Sequence, residues 1–189
     1  GRSKKLMAPA DVERYLPNVS LLGVVPLLSK SAAQGKALAP PNALTPVAES
    51  FRIIRTSLLL SNPDMLPSRI LITSPGENEG KTTLAVNLAM AMAQLEDTLV
   101  VLIDVDFRNQ HIHPLYDVGS PEQPPKGLGH LLRGEAGLDE VVHQTFVKNL
   151  SVIPHGGRPA NPTELLHSKS MTQLLKWGAT NRYHIILDC

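Results

Sequence analysis

The stretch RILITSPGENEGKTTLAVNLAMAMAQL, residues 69–95, decides the fold class of this chain. It runs from an apolar segment, Arg69 to Thr73, through a glycine-containing turn into a helical segment that begins at Lys81. The helical segment is apolar almost all round, and a helix of that kind is buried on several sides. A strand, a tight turn and a buried helix in succession predict one unit of an α/β sheet.

Three further apolar runs predict the other strands of that sheet. They cover Leu99–Ile103, Leu150–Ile153 and His184–Leu187, and a helical stretch from about Pro162 to Trp177 precedes the last of them. The first run is continuously apolar, which is typical of a strand covered on both faces. Strands that alternate with helices predict a doubly wound, mostly parallel α/β sheet.

The residues before this sheet divide into two parts. Residues 1–45 are predicted to form a lead-in and linker: a short helix and an apolar, strand-like run over Asp11–Leu28, then a proline-rich segment from Ser29. Thr45 and Pro46 supply an N-cap and a proline at the first helical position, so an amphipathic helix is predicted from there to Ser61. One domain is therefore predicted over residues 46–189.

Composition excludes several classes of protein. The 189 residues carry 18 Lys and Arg against 17 Asp and Glu, and 42% of them are hydrophobic. This balance predicts a globular protein and argues against both disorder and nucleic acid as a partner. The single cysteine, Cys189, allows no internal disulfide, which favours the reducing cytoplasm, and the apolar stretches are too short to cross a membrane.

The segment GENEGKTT predicts a phosphate-binding loop. Its glycines allow several N–H groups to approach an anion, and the following helix adds the positive end of its dipole. Lys81 would reach the β and γ phosphates, and the hydroxyl of Thr82 would ligate Mg²⁺. The strict pattern GxxxxGK[ST] requires glycine where this chain has Pro75, and the alternative is a glycine-rich turn with a solvated lysine. The predicted nucleotide contacts are Gly76, Glu77, Asn78, Glu79, Gly80, Lys81, Thr82 and Thr83.

Aspartates follow two of the predicted strands. Asp104 and Asp106 come directly after one apolar run, and Asp188 comes after another. A phosphate loop needs a carboxylate for its Mg²⁺, usually at the carboxyl end of a neighbouring strand. One of the first two aspartates would ligate metal while the other faces substrate, and the pattern does not say which. The alternative is that each aspartate only starts a loop.

These motifs together resemble those of the bacterial tyrosine kinases of exopolysaccharide and capsule export. The loop ending GKTT, the run closing in DVDFR and the run closing in Asp188 resemble the Walker A, Walker A′ and Walker B motifs of that family. ESFRIIRT resembles its ExxRxxR helix, and NPTELL and DVERYL followed by LLGVVP resemble two further segments. The resemblance covers about residues 11–188 and implies a P-loop fold similar to that of the partition and cell-division ATPases.

This resemblance implies an ATP-dependent, autophosphorylating protein-tyrosine kinase that regulates polysaccharide polymerisation or export. Lys81, Asp104 and Asp106 would be catalytic, with ATP or ADP as the nucleotide. Thr82, Asp104 and Asp188 would hold Mg²⁺. Residues 46–189 would be the P-loop kinase domain. The alternative function is a nucleotide-switched assembly module in which no tyrosine is phosphorylated.

The resemblance also implies partners. Glu49, Arg52 and Arg55 would join neighbouring subunits into a ring or another homo-oligomer, whereas from the residues alone they would be a solvated charged face. A transmembrane activator or co-polymerase, fused or separate, and a cognate tyrosine phosphatase would be the other partners. The expected location is the cytoplasm, at the inner face of the plasma membrane.

By the same resemblance, the family continues beyond its Walker B aspartate into further strands, helices and a tyrosine-rich tail. We therefore expect this chain to be a fragment truncated at its C-terminal end, with its last strand incompletely flanked. Tyr15, Tyr116 and Tyr183 do not form a cluster and are expected to pack rather than accept phosphate. His111 and His113 form an HxH pair without the further ligands that a zinc site needs.

Overall fold

A five-stranded sheet forms the centre of the molecule in a computed structural model, which describes residues 11, 14, 18–26, 43–61, 66–74, 76, 79–107, 112–120, 122–157 and 161–189. The strand order is β1-β5-β2-β4-β3. Four of the strands are mutually parallel, and the short β3 runs antiparallel to β4. The predicted mostly parallel sheet is thereby confirmed. The strands are β1 (Arg69–Ile72), β2 (Leu99–Asp104), β3 (His143–Gln144), β4 (Leu150–Ile153) and β5 (Tyr183–Asp188).

Helices cover both faces of this sheet. Two hydrophobic cores result, one beneath α1 and α2 and the other beneath α3, α4 and α6. The doubly wound arrangement predicted from the alternation of strands and helices is therefore confirmed. The helices are α1 (Pro46–Ser61), α2 (Lys81–Ala93), α3 (Leu128–Leu132), α4 (Leu138–Val141), α5 (Pro162–Leu166) and α6 (Lys169–Thr180), and His113–Tyr116 form a 3₁₀ turn. No helix in the described ranges has the length and apolar character needed to cross a membrane.

Strand β2 and helix α2 are buried for the reason that their sequences predict. Side chains alternate between the faces of a strand, so Val100 and Leu102 enter the first core while Val101 and Ile103 enter the second. In α2, every residue from Ala85 to Ala93 is buried, because the helix lies between α1 and the sheet. An apolar run with no polar face can be stable only in such a position.

The predicted helical stretch from Pro162 to Trp177 is in fact two helices. The helical stretch is interrupted at His167 and Ser168. The Ser168 hydroxyl accepts a hydrogen bond from the Met171 N–H at 3.3 Å, which caps α6. Apolar residues continue across the break, so periodicity alone does not reveal it. Helices α3 and α4 were not predicted because five and four residues are too few to show a helical period.

The lead-in segment packs against α1 instead of joining the sheet. Residues 18–26 adopt no strand, so the strand-like prediction for this run is wrong. Leu22 and Val25 pack on the first core, and a Cβ on Gly23 would lie 2.7 Å from Cγ1 of Ile54. This run therefore packs closely on α1, and residues 18–26 make no strand pair among the described residues. Asp11 and Arg14 are helical, and the rest of the predicted short helix and most of the linker lie outside the described residues.

Helix α1 begins where it was predicted to begin. It starts at Pro46, and the N–H of Ala48 donates to Oγ1 of Thr45 at 3.2 Å. The division of the chain into residues 1–45 and 46–189 stays a prediction.

The last strand lies inside the sheet rather than at its edge. Strand β5 is paired with β1 on one side and β2 on the other, so the expectation that it would be incompletely flanked is wrong. The crossover through α6 inserts β5 between two strands that come earlier in the chain. The sheet edge next to β5 is β1. In the described part of the chain β1 pairs only with β5, and 60% of Leu71 is exposed.

Two loops at the carboxyl end of β4 cross each other backbone to backbone. The N–H groups of Leu128 and Gly129 donate to the carbonyls of Pro154 and His155, both at 2.7 Å. A Cβ on Gly127 would lie 2.1 Å from the Pro154 oxygen, which no side-chain movement could relieve. This crossing therefore requires glycine at position 127.

We predict that Gly127→Ala lowers the free energy of unfolding by about 2 kcal/mol or more, because the backbone must shift to admit the methyl group. Gly137→Ala is the matched control, since Gly137 has an extended backbone and its Cβ would meet only the ends of the Asp139 and Glu140 side chains. Its expected cost is under about 1 kcal/mol. Urea unfolding followed by circular dichroism measures both variants. Equal costs would contradict the described backbone crossing.

Candidate active site

The loop between β1 and α2 is held in shape by its own side chains. The Gly76 N–H donates to the Glu79 carboxylate at 3.0 Å, and the Ser74 hydroxyl donates to the Gly76 carbonyl at 2.7 Å. Gly80 caps α2 with φ of 90°, a left-handed conformation that favours glycine. Of the predicted nucleotide contacts, Glu77 and Asn78 lie outside the described residues, and the others belong to this loop and the first turn of α2.

Lys81 stretches across this loop. Its ammonium donates to the Gly76 carbonyl at 3.4 Å, a long hydrogen bond between two residues five positions apart. The side chain is half-buried, so its charge lies at the mouth of the loop and not in bulk solvent. A positive charge beside the N-terminus of a buried helix is the arrangement that attracts an anion.

Thr82 joins the loop to the sheet. Its hydroxyl donates to Oδ2 of Asp188 at 2.7 Å. Asp188 is directly opposite Asp104 in the register of β5 and β2, and each is only 1% exposed. Because neighbouring strands lie about 4.8 Å apart, the two carboxylates are side by side at the carboxyl edge of the sheet. The structure thus brings Thr82, Asp104 and Asp188 together, and their role toward Mg²⁺ stays a prediction.

Asp106 lies just beyond the end of β2. Its N–H donates to Oδ1 of Asp104 at 3.1 Å, which orients the buried carboxylate. The N–H of Val105 donates to the carbonyl of Asp188 at 2.8 Å, so this turn is fixed to β5 as well. Asp106 is half-buried while Asp104 is buried, so the two aspartates meet solvent differently.

Cys189 reports how close these charges are to one another. Burial raises the pKa of its thiol, and the negative charges of Asp188, Asp106 and Asp104 raise it further, while Lys81 lowers it. One side chain therefore experiences all four predicted catalytic and metal-binding charges. The sequence motifs do not predict that Cys189 lies at the site, although Cys189 directly follows Asp188.

The donor set fits Mg²⁺ better than a transition metal. Within the described ranges, no group of three or more His, Cys, Asp or Glu is placed to hold a metal ion. Mg²⁺ usually takes one or two carboxylates and completes its shell with water and phosphate oxygens. Two buried carboxylates and a threonine hydroxyl match that requirement. His111 lies outside the described residues, so the expectation that the HxH pair is not a zinc site stays a prediction.

The three charged residues of α1 lie away from this site. Glu49 and Arg52 form an ion pair at 2.6 Å. Arg55 donates from Nη1 to the Ala91 carbonyl at 2.8 Å and to Oε1 of Gln94 at 3.2 Å, at the C-terminal end of α2. Burial lowers the pKa of Arg55, the charge of Arg52 lowers it further, and Glu49 opposes both effects. Arg55 therefore holds α1 to α2 within the chain.

This chain has relatives of similar sequence among known proteins, although no family model matches it. The tyrosine-protein kinase ptk of Acinetobacter johnsonii is 36% identical over 151 residues, which are 80% of this chain and 20% of that kinase. The chain thus spans about a fifth of the length of that curated relative.

Solved kinase domains match along almost the whole chain. The BceF tyrosine kinase domain is 31% identical, with a TM-score of 0.75 over 95% of this chain and 74% of that domain. The chain belongs to the bacterial tyrosine kinases. Among the same bacterial tyrosine kinases, the kinase domain of Escherichia coli ETK has a TM-score of 0.84 at 28% identity, over 97% of this chain and 73% of that one.

The fold of this bacterial tyrosine kinase chain is shared with a cell-division ATPase. The septum site-determining protein MinD of Pyrococcus horikoshii has a TM-score of 0.52 at 22% identity, over 64% of this chain and 48% of that protein. The prediction of a P-loop fold of the partition and division type is confirmed by this likeness.

We predict that Arg55→Gln lowers the free energy of unfolding by about 1–2 kcal/mol, because it removes charge-assisted hydrogen bonds from the end of α2. Glu49→Gln is the control on the same helix: Glu49 is exposed and pairs with Arg52, so this change should cost under about 1 kcal/mol, the range of a surface ion pair. Urea unfolding measures both variants. If the two cost the same, Arg55 would not hold α1 to α2.

Proposed function

We propose that this chain is the nucleotide-binding part of an ATP-dependent, autophosphorylating protein-tyrosine kinase, with residues 46–189 as its P-loop kinase domain. The observation that carries the proposal is the meeting of Lys81, Thr82 and Asp188 at the carboxyl edge of the sheet. Membership of the bacterial tyrosine kinases supports the choice of reaction. By the resemblance of its motifs, the enzyme regulates polysaccharide polymerisation or export.

Lys81, Thr82 and the two buried aspartates have proposed roles toward ATP and its metal ion. The ammonium of Lys81, which rests on the Gly76 carbonyl, exchanges that weak partner for the β and γ phosphates. Thr82, Asp188 and Asp104 hold Mg²⁺, which when bound offsets the charge on the transferring phosphoryl group. The hydrogen bond from Thr82 to Asp188 keeps two of these oxygens together. Catalysis of phosphoryl transfer consists largely of such positioning and charge compensation.

Asp106 is the proposed acceptor of the tyrosine proton. A tyrosine hydroxyl has a pKa of about 10, so its attack on phosphorus is helped by a carboxylate nearby. Asp104 is buried and oriented by the Asp106 backbone, whereas the Asp106 side chain has access to solvent. As the tyrosine oxygen bonds to the γ phosphorus, its proton passes to Asp106. The bond between that phosphorus and the β–γ bridging oxygen breaks, and ADP leaves with the electrons of the broken bond.

The described tyrosines of this chain are poor acceptors. Tyr116 is buried and donates its hydroxyl hydrogen to the Val86 carbonyl at 2.8 Å, and burial raises its pKa far above the usual range. Tyr183 is half-buried and stacks on Trp177 with ring centroids 5.1 Å apart. Tyr15 lies outside the described residues. These contacts support acceptor tyrosines elsewhere in the parent protein.

Assembly and location are proposed from family membership. The exposed Glu49 and the half-buried Arg52 of α1 would contact a neighbouring subunit in a ring or another homo-oligomer, with Arg55 supporting α1 from within. A transmembrane activator or co-polymerase, fused or separate, would hold the kinase at the inner face of the plasma membrane. A cognate tyrosine phosphatase would reverse its reaction.

We predict that Lys81→Met weakens binding of Mg-ADP at least tenfold, because a charge-assisted contact to phosphate is lost. Isothermal titration calorimetry on the 189-residue chain measures the affinity. The matched control is Lys148→Met, which alters an exposed lysine in the turn between β3 and β4. Equal affinity in the original chain and both variants would refute the phosphate-loop assignment.

Phosphotyrosine formation in the full-length parent tests the reaction itself. We expect incubation with Mg-ATP to produce phosphotyrosine, and Asp106→Asn to slow this at least tenfold while changing Mg-ADP affinity less than twofold, because Asn cannot accept the proton. Mass spectrometry locates the modified residues. Nucleotide binding without phosphotyrosine in the parent would instead favour the nucleotide-switched assembly module.

A further inference from the structure

A cavity of about 300 Å³ opens at the carboxyl end of β4. Three histidines and an arginine line it, together with prolines and the Gly156-Gly157 turn. No Asp or Glu is among the described residues that line it. Its volume is at the lower end of the range for small-molecule sites. The basic residues of this cavity are His113, His130, Arg133 and His155.

Backbone hydrogen bonds determine which ring nitrogen of two histidines carries the hydrogen. The Gly157 N–H donates to Nδ1 of His155 at 2.9 Å, and the Gly127 N–H donates to Nδ1 of His130 at 3.2 Å. Each neutral ring must therefore carry its hydrogen on Nε2. The Nε2–H of His130 is therefore the donor that this residue can offer to an anion.

His113 supplies a buried nitrogen at the same cavity. The residue is 7% exposed, and within the described ranges nothing is placed to hydrogen-bond its Nδ1. Leaving a buried polar atom unpaired is costly, so such atoms are rare in folded proteins. Burial lowers the pKa of His113, and the charges of His155 and His143 lower it further. An anion in the cavity would supply both a partner for the ring and the opposite charge.

Arg133 adds a permanent positive charge. Its Nε and Nη2 donate to the Glu135 carboxylate at 2.7 and 2.8 Å, which holds the guanidinium plane in place. This pairing does not involve Nη1. Within the described ranges, no group of three His, Cys, Asp or Glu is placed to bind a metal ion, so the three imidazoles do not converge on a cation. The donors of this cavity suit an oxyanion.

We propose that this cavity binds the anion of a phosphate monoester. Its walls include Pro124, Pro125 and Pro154, which offer a rigid apolar surface to the organic group of the ester. The backbone crossing at Gly127 fixes the floor, since the two loops are joined by hydrogen bonds of 2.7 Å. A site held in shape before binding loses little entropy when the ligand enters.

The cavity lies at the same edge of the sheet as the reacting carboxylates. Ile103 of β2 is paired with Ile153 of β4, so Asp104 and Pro154 follow at neighbouring strand ends. A phosphotyrosine side chain leaving the active site would therefore meet this cavity one strand away. That identity for the ester rests on the proposed kinase function, whereas the recognition of an anion does not.

Nuclear magnetic resonance of the imidazole Cε1–H groups tests the proposal. The isotopically labelled chain carries Lys81→Met, which removes phosphate binding at the loop. Phenyl phosphate, inorganic phosphate and phenol are titrated separately. We expect phenyl phosphate to shift the His113 and His155 signals saturably, and phenol to leave them unchanged.

Two variants that change donors of the cavity, and two matched controls, locate the binding. His130→Gln and Arg133→Gln should each weaken phenyl phosphate about tenfold, as loss of a charge-assisted hydrogen bond does. His167→Gln and Lys148→Gln change exposed residues outside the cavity and should leave its affinity unaltered. Amide spectra show whether each variant is folded.

The two phosphate arms identify the source of the ligand. Phenyl phosphate binding at least tenfold more tightly than inorganic phosphate would support an ester with an aromatic group. Equal binding of both, lost in His130→Gln and Arg133→Gln, would support the anion site and assign it to free phosphate. Signals that do not move with either phosphate, or shifts that survive in both variants, would overturn the proposal. None of these outcomes depends on nucleotide binding or tyrosine phosphorylation.

Discussion

The pairing of β5 with β1 and β2 is the constraint on which the candidate active site depends. Asp188 is opposite Ile72 on one side and Asp104 on the other, so one register fixes the strand end before the Lys81 loop, Asp188 itself and the turn that carries Asp106. The hydrogen bond from Thr82 then attaches the first turn of α2 to the same point. A slip of one residue in β5 would turn Asp188 to the opposite face of the sheet and remove it from Thr82.

Most of the fold and the centre of the site could be predicted from the sequence, because both follow from local patterns. The continuous apolar run in β2 indicated a strand covered on both faces, and an aspartate after such a run indicated the functional edge of the sheet. Lys81 and Thr82 are predicted site residues because of their place at a turn between strand and helix, and the structure has such a turn there. These features depend on neighbours in the sequence, and the structure retains them.

What the sequence could not predict depends on residues far apart in the chain. The engagement of Arg55 with the end of α2 joins positions 36 and 39 residues apart, and the charged face of α1 gave no sign of it. The basic cavity collects His113, His130 and His155 from three separate loops, and no spacing connects them. The lead-in run was read as a strand because apolar composition does not distinguish pairing with a sheet from packing on a helix.

The central position of β5 also governs the order in which the molecule can be built. Thr82 and Asp188 are 106 positions apart, and every strand pair that involves β5 waits until Tyr183–Asp188 have been synthesised. Contacts between residues so distant in sequence form late and slowly, because a long loop must close before they do. The loop that carries Lys81 therefore leaves the ribosome well before Asp188. During synthesis, Thr82 and Asp188 can meet only once β5 enters the middle of the sheet.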